Sequence, residues 1–342
     1  MKFKFINKKN IIYILCLLLF FEITIRIFEN FFLETNVSTL YSYINMYKDY
    51  YTIKPNTLIT QPERYGDITY EINSYGFRNQ FKVNGNYKFL FLGDSITFGL
   101  GVQGYDIFST LISNELNNKS RKVSCINLSM FGYTPWNELN VLKEIGLKFK
   151  PDQIILQLYM NDFYNSSNNI KKTDSTNNLR TAVNTLVALK NMVINQSALF
   201  RRLRQIVQRT NYICFHNFRR KYFINTLNDR EPQSINNLFM QFKIEDIISF
   251  QHIKEISDIA KKYNIPFKII LTPNEIQLFT DKFDHINDKI FKFCQNNNIQ
   301  FFDMLKPFRL SNNKEHIFND GLHLSPLGHQ ILCDYFIEHI AF

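Results

Sequence analysis

The 342-residue chain predicts an α/β fold in which helices cover both faces of a parallel sheet. Three observations predict it. Short apolar runs recur along the chain, segments with helical spacing of apolar residues lie between them, and two of these segments open on a cap residue followed by proline. Strands buried on both faces read as continuous apolar runs, and their alternation with helices is the pattern of repeated βαβ units.

The alternation begins at Lys88. The predicted strands are Lys88–Gly93, Lys122–Met130, Ile154–Met160, Pro266–Leu271 and Ile299–Met304. The predicted helices are Asp106–Asn118, Thr134–Phe149, Glu245–Lys262, Asp281–Gln295 and one that opens at Ser325. Thr134 and Ser325 are suited to cap a helix, and the proline after each is compatible with the first helical position. Upstream, residues 31–86 are aromatic and show no clear period, so no element is predicted there.

An N-terminal membrane anchor is predicted for residues 1–30. Ile11–Phe21 is an unbroken apolar run, and the apolar character resumes through Phe28, which gives about 18 residues and a short span. Glu22 and Arg26 are placed to pair on one helix face. No small-residue cleavage site follows, which disfavours a cleaved signal peptide; a cytosolic amphipathic helix is the third alternative. Lysines precede the span, which predicts a cytoplasmic N-terminus and an extracytoplasmic domain in the cell envelope or periplasm.

Composition excludes several classes of protein. At 45% hydrophobic and 20% charged residues the chain is globular, and five scattered cysteines form neither a disulfide scaffold nor a zinc ribbon. A phosphate-binding glycine loop and internal repeats are both missing from the sequence. We therefore expect residues 87–342 to form one catalytic domain, interrupted by an insert at about 163–240.

The net charge of +10 is concentrated in this insert. Ile170–Lys221 holds eleven basic residues and one acidic residue. Within it, Asn184–Arg209 has apolar residues at helical spacing and arginines largely off that stripe. It is interpreted either as a helical cap with a solvated cationic face or as an interfacial lid that binds anionic lipid or glycan. Nucleic-acid binding is disfavoured by the predicted outward topology.

Four short motifs carry residues suited to chemistry. Each alone has a structural explanation, as a turn or a helix cap. In a parallel sheet, however, ligands bind beyond the carboxyl ends of the strands, which is where these residues fall. They are Ser95 in GDSITFG, Gly132 in NLSMFGY, Asn161 in YMNDF, and Asp320 with His323 in NDGLHLSPLGH. The three-residue spacing of Asp320 and His323 allows the carboxylate to orient the imidazole as a general base. A metal site that uses His316 or His329 is the lesser alternative, and His329 is expected to be structural inside the last helix.

Together these motifs resemble the four blocks of the SGNH, or GDSL-like, hydrolase family. The resemblance covers about 88–162 and 240–342, and Asn73–Asn79 (NSYGFRN) is similar to the lead-in of membrane-tethered bacterial members. It implies a three-layer α/β/α, flavodoxin-like sheet and no metal or organic cofactor. It also implies site roles: Ser95 as nucleophile, His323 as general base, Asp320 as its orienting acid, and the N–H groups of Ser95 and Gly132 with the Asn161 side chain as oxyanion donors.

The sequence departs from the family pattern at two positions. Ile96 replaces the leucine of GDSL, and Tyr159 replaces the glycine that usually precedes the asparagine by two residues. We expect Tyr159 to narrow the pocket. The resulting hypothesis is a membrane-anchored serine esterase, deacetylase or O-acyl transferase-like enzyme that acts on an ester of an envelope carbohydrate or lipid. The alternative is a non-catalytic glycan-binding or polysaccharide-assembly protein on the same fold.

Overall fold

The structure is a computed structural model. It describes residues 40–63, 66–79, 85–119, 121–164 and 230–341, together with single residues between Tyr13 and Thr24. Apart from Gly66, the features below lie in the compact unit formed by Thr39–Glu63, Asp67–Lys172 and Phe218–Phe342. Among the described residues, no helix is both long enough and apolar enough to cross a membrane. The helical part predicted for the basic insert, Asn184–Arg209, and most of the predicted anchor lie outside the described residues.

The segment upstream of the sheet contains four strands, where the sequence predicted no element. They are β1 (Ile44–Met46), β2 (Tyr51–Ile53), β3 (Leu58–Glu63) and β4 (Gly66–Glu71), paired as β1 with β2 and β3 with β4. The strands are only three to six residues long, so the alternation of buried and exposed positions is too brief to recognise. Ile53, Tyr70 and Phe77 of this segment are buried in the main core.

The main sheet has five parallel strands, as the sequence predicted. They are β5 (Tyr87–Leu92), β6 (Val123–Asn127), β7 (Gln153–Leu158), β8 (Phe267–Leu271) and β9 (Gln300–Asp303). Their order is β6-β5-β7-β8-β9. The chain therefore moves from β5 to one side and then returns to the other, which places a topological switch point between β5 and β7.

Helices cover both faces of this sheet. In chain order they are α1 (Ser95–Phe98), α2 (Phe108–Asn118), α3 (Pro135–Glu144), α4 (Asn161–Tyr164), α5 (Arg230–Gln241), α6 (Ile248–Lys262), α7 (Asp284–Asn296), α8 (Leu305–Arg309) and α9 (Pro326–His339). Helices α2 and α9 pack together on one face, and α3 packs against α6 on the other. The α/β class with a parallel central sheet is thus confirmed.

Strand β5 is apolar throughout its second half because both of its faces are buried. Successive side chains of a strand point to opposite faces. Phe89 and Phe91 point to the face covered by α9, where their rings lie 5.4 and 5.6 Å from the ring of Phe336. Leu90 is equally buried and points the other way, because both faces of the strand are covered.

One predicted helix is shorter than expected. The sequence predicted a helix over Thr134–Phe149, but α3 ends at Glu144 and a 3-10 turn covers Gly146–Phe149. The break coincides with close packing on the sheet, since a Cβ atom at Gly146 would lie 2.9 Å from a methyl group of Leu90. Thr134 and Pro135 open the helix as predicted, with the capping residue extended and proline in the first turn.

We expect Phe336→Ala to lower the free energy of unfolding by about 3–5 kcal/mol, because a fully buried ring would be replaced by a cavity. Denaturant unfolding measures this change. The matched control is Phe291→Ala, whose ring is 47% exposed, and there we expect a change below about 1 kcal/mol. Equal effects of the two substitutions would contradict the packing described here.

Candidate active site

Ser95 lies on the turn that joins β5 to α1. Gly93 has no room for a side chain, since a Cβ atom there would lie 2.9 Å from the Cβ of Thr97. The next residue, Asp94, caps α1 by accepting the N–H of Ile96 at 2.9 Å. This turn sets Ser95 in the first turn of the helix, at the carboxyl edge of the sheet, with 5% of its surface exposed.

Ser95, His323 and Asp320 form one chain of hydrogen bonds. The distance from Ser95 Oγ to His323 Nε2 is 3.0 Å, and that from His323 Nδ1 to Asp320 Oδ2 is 2.8 Å. An ionised carboxylate can only accept hydrogen bonds, so Nδ1 carries the proton and Nε2 is left to accept the serine hydroxyl. The geometry is that of a nucleophile, a base and an orienting acid.

The loop before α9 stabilises the charge of Asp320. Its Oδ1 atom accepts the backbone N–H groups of Leu322, at 3.1 Å, and His323, at 2.8 Å. Burial acts to raise the pKa of Asp320, but the hydrogen bond and charge of His323, together with these N–H groups, outweigh it and lower the pKa to about 2. The carboxylate is therefore ionised at neutral pH.

Asn161 is the first residue of α4, beyond the end of β7. Its Nδ2 atom donates to Asp94 Oδ2 at 3.1 Å, and this bond determines which end of the amide is the donor. Nδ2 keeps a second hydrogen for another acceptor. Because Asp94 follows β5, the hydrogen bond crosses the switch point between β5 and β7.

Gly132 lies in the loop between β6 and α3, with a φ of +78° and an exposed backbone. Among the described residues, the backbone N–H groups of Ser95 and Gly132 have no hydrogen-bond acceptor. Unused N–H donors of this kind are suited to bind the oxygen of a tetrahedral intermediate.

Tyr159 does not line an open surface. Its side chain is fully buried, and its hydroxyl accepts Nδ2 of Asn274, in the turn after β8, at 2.6 Å. The backbone N–H of Tyr159 donates to Asp162 Oδ2 at 2.8 Å. The expectation that Tyr159 narrows the pocket was therefore wrong: its ring joins the turns after β7 and β8.

Two buried carboxyl groups behind the site escaped sequence reasoning. Burial raises the pKa of Asp94, against the hydrogen bonds from Ile96 and Asn161. In α3, Glu138 is fully buried, and neither side-chain oxygen has a hydrogen-bond partner among the described residues. Burial, followed by the charge of Asp94, raises the pKa of Glu138 well above its usual range. The only sequence signal was for Asp94, which stands inside the GDS motif.

His316 and His329 are not part of the hydrogen-bonded series Asp320–His323–Ser95. In the described part of the chain, no group of three His, Cys, Asp or Glu residues could hold a metal ion. His316 is exposed, 3.8 Å from Glu315. His329 is buried in α9, where its Nδ1 atom accepts the backbone N–H of Phe108 at 3.3 Å. Burial, with the charges of Arg78 and His323, lowers the pKa of His329 to about 3.

The fold and this arrangement define the class of protein. The sequence model of the GDSL-like Lipase/Acylhydrolase family matches residues 91–331, well over half of the chain. The chain belongs to this family, and it is an ester-hydrolysing serine hydrolase of the SGNH type.

Solved structures with a similar fold are distant in sequence. An acetyl xylan esterase, AlAXEase, is 16% identical over 74% of this chain and 99% of its own, with a TM-score of 0.43. The acetylxylan esterase Axe2 from Geobacillus stearothermophilus is 15% identical over 76% and 97%, with a TM-score of 0.43. A lipase/acylhydrolase from Enterococcus faecalis is 15% identical over 74% and 95%, with a TM-score of 0.41. The curated proteins searched contain no match.

The buried neutral His329 predicts a pH dependence of stability. Its folded pKa is depressed, so unfolding takes up a proton between about pH 6.5, the usual pKa, and pH 3. Stability must therefore fall as the pH is lowered through this range, by up to about 1.4 kcal/mol per pH unit.

We expect His329→Gln to remove about 2 kcal/mol of the stability difference between pH 7 and pH 5. Urea unfolding at the two pH values measures it. The control is His339→Gln at an exposed position, which should leave the difference as in the wild type. An unchanged difference in His329→Gln would show that His329 is not the group that takes up the proton.

Proposed function

We propose that Ser95 is the nucleophile of this esterase, His323 its general base and Asp320 the acid that orients the base. The observation that carries the proposal is the continuous hydrogen-bond chain from Asp320 through His323 to Ser95. Ser95 Oγ attacks the ester carbonyl carbon while its proton passes to His323 Nε2. The imidazolium then donates that proton to the departing alcohol, which leaves an acyl-enzyme at Ser95.

The negative oxygen formed in this attack needs donors. We propose that the backbone N–H groups of Ser95 and Gly132 and the Nδ2 atom of Asn161 supply them. Supporting this, the two N–H groups lack other acceptors among the described residues, and Asp94 holds the Asn161 amide in the donating orientation. Donors arranged before the reaction stabilise the transition state without reorganisation.

The second half-reaction repeats the same proton movements. His323 takes a proton from water, or from a hydroxyl group of an acceptor, and the oxygen attacks the acyl-enzyme; the proton then returns to Ser95. Water gives hydrolysis and a sugar hydroxyl gives acyl transfer. Ser95, His323 and Asp320 have the same roles in hydrolysis and in acyl transfer.

The substrate that we propose is an ester, commonly an acetyl ester, of an envelope carbohydrate or lipid. The proposal rests on location. The apolar run Ile11–Phe21 with preceding lysines is that of an N-terminal signal anchor, which would hold the catalytic domain outside the cytoplasm, beside envelope polymers and lipids. The cationic segment Ile170–Lys221 would favour an anionic lipid or glycan near the same surface.

We expect a fluorophosphonate probe to label the detergent-solubilised full chain and p-nitrophenyl acetate to be hydrolysed. Ser95→Ala should abolish both, because no other residue replaces the attacking oxygen. Ser311→Ala, a serine in the turn after α8, is the matched control and should keep both. A folded wild type that is neither labelled nor active would reject the serine mechanism and favour a non-catalytic role in glycan binding or polysaccharide assembly.

Asn161→Ala should lower kcat about 10²–10³-fold with little change in KM, since the lost donor acts on the developing oxyanion. Asn161→Asp should be at least as inactive. It keeps the shape of the side chain but faces Asp94 and the oxyanion with an acceptor and a negative charge. Steady-state kinetics on p-nitrophenyl acetate give both parameters. A kcat within threefold of wild type in either variant would exclude Asn161 from the oxyanion site.

A further inference from the structure

The segment upstream of the family match reaches into the active site. Residues 40–79 precede the matched range of 91–331, yet they contact the loop that carries Gly132 and the turn that carries Ser95. The contact with the Gly132 loop is made by Tyr51 in strand β2. The contact with the Ser95 turn is made by Arg78.

Tyr51 forms hydrogen bonds with the residues on both sides of Gly132. Its hydroxyl donates to the backbone carbonyl of Phe131, and the hydroxyl of Tyr133 donates to the backbone carbonyl of Tyr51. The Tyr51 ring lies 5.1 Å from the ring of Tyr133, edge to face, and 6.3 Å from that of Phe131. The loop is thus held at two points one residue either side of the glycine.

The bond to Phe131 acts directly on the oxyanion donor. The carbonyl of Phe131 and the N–H of Gly132 belong to one planar peptide unit, in which they point in opposite directions. Holding the carbonyl toward Tyr51 therefore turns the N–H away from Tyr51. A hydrogen bond accepted by the carbonyl also polarises the peptide and strengthens the N–H as a donor.

Gly132 makes this arrangement both possible and necessary. A Cβ atom at this position would lie 3.0 Å from the Tyr51 hydroxyl oxygen, and the φ of +78° is strained for other residues. A glycine has many accessible conformations, so its peptide plane is not fixed by its own sterics. The restraint has to come from a neighbouring group.

Tyr51 is itself held by the surrounding structure. Strand β2 pairs antiparallel with β1, with Tyr51 opposite Met46. Asn137 in α3 donates its Nδ2 to the backbone carbonyl of Asp49 at 2.9 Å, which attaches the hairpin to the helix that follows Gly132. The Tyr51 hydroxyl therefore acts from a fixed position.

Arg78 holds the other half of the site from the same segment. Its guanidinium donates to the carbonyls of Phe98, at 3.2 Å, Val102, at 2.5 Å, and Gly99. These carbonyls lie at and beyond the end of α1, the helix that Ser95 begins. One upstream segment thus contacts the supports of both the nucleophile and the oxyanion donor.

We propose that Tyr51 is a positioning residue for catalysis. By binding the Phe131 carbonyl, its hydroxyl orients and polarises the Gly132 N–H, which belongs to the same peptide unit. The inference rests on the proposed function, since it requires the oxyanion role of Gly132. It assigns a role in the reaction to a segment that lies outside the family match.

The test is Tyr51→Phe, which removes the hydroxyl and keeps the ring. We expect kcat on p-nitrophenyl acetate to fall about 10-fold, less than the 10²–10³-fold typical of a deleted donor, because the Gly132 N–H remains but is less well oriented. KM should stay within twofold. The matched control is Tyr47→Phe in the same hairpin, whose ring is 48% exposed; it should behave as wild type.

Fluorophosphonate labelling supplies a second readout. Attack of Ser95 on the phosphorus also develops negative charge on an oxygen that the same donors bind. The second-order rate constant of labelling in Tyr51→Phe should therefore fall in parallel with kcat. A purely structural role would not produce this pattern. It would lower the melting temperature and the active fraction, with kcat per labelled site unchanged.

Each outcome decides the inference. A kcat and labelling rate within twofold of wild type in Tyr51→Phe, with Ser95→Ala inactive, would overturn it and leave the proposed function standing. An unchanged kcat per labelled site with a lowered melting temperature would overturn it as well. A wild type without labelling would remove the proposed function and the inference together. If Tyr51→Phe does not fold, replacement of Tyr51 by 4-aminophenylalanine takes its place, because it keeps the ring and puts a weaker donor opposite the Phe131 carbonyl. We expect kcat and the labelling rate to fall together there as well, and values equal to those of the wild type would overturn the inference.

Discussion

The carboxyl group of Asp94 connects the adjacent strands β5 and β7 at the edge of the sheet where the site lies. One oxygen caps the helix that begins at Ser95, and the other receives the amide of Asn161 from the end of β7. Parallel pairing of β5 with β7 brings these turns side by side. The proposed nucleophile, Ser95, and the proposed oxyanion donor, Asn161, are thus both held by a single buried group.

The surroundings of Asp94 distinguish it from the other buried acid, Glu138. Burial raises the pKa of Asp94, and the hydrogen bonds from Ile96 and Asn161 act against that rise. Glu138 has no hydrogen-bond donors among the described residues, and burial, followed by the charge of Asp94, raises its pKa well above the usual range. Two adjacent negative charges in a dry region would repel strongly. The donors at Asp94 therefore favour a negative charge on that residue over one on Glu138.

Much of this could be predicted from the chain itself. All five strands of the sheet were expected within a few residues of their bounds, because buried parallel strands are continuous apolar runs. The motif residues Ser95, Asn161, Asp320 and His323 were expected at one edge, and the structure brings Ser95, His323 and Asp320 into one hydrogen-bonded chain, with Asn161 held through Asp94. The short strands β1–β4 and the roles of Tyr51, Arg78 and Glu138 were not foreseen. Their contacts join residues far apart in the chain, 80 positions in the case of Tyr51 and Phe131, and local periodicity carries no information about such pairs.

The sequence by itself determined the α/β class, the order of the main elements and the candidate side chains for the chemistry, because hydrophobic period and turn composition act over a few residues. Only the tertiary structure decided how these side chains are oriented. It showed that Tyr159 points into the core, that Asp94 holds Asn161, and that Tyr51 holds the peptide beside Gly132. Orientation depends on distant groups that meet only when the sheet and its helices have packed.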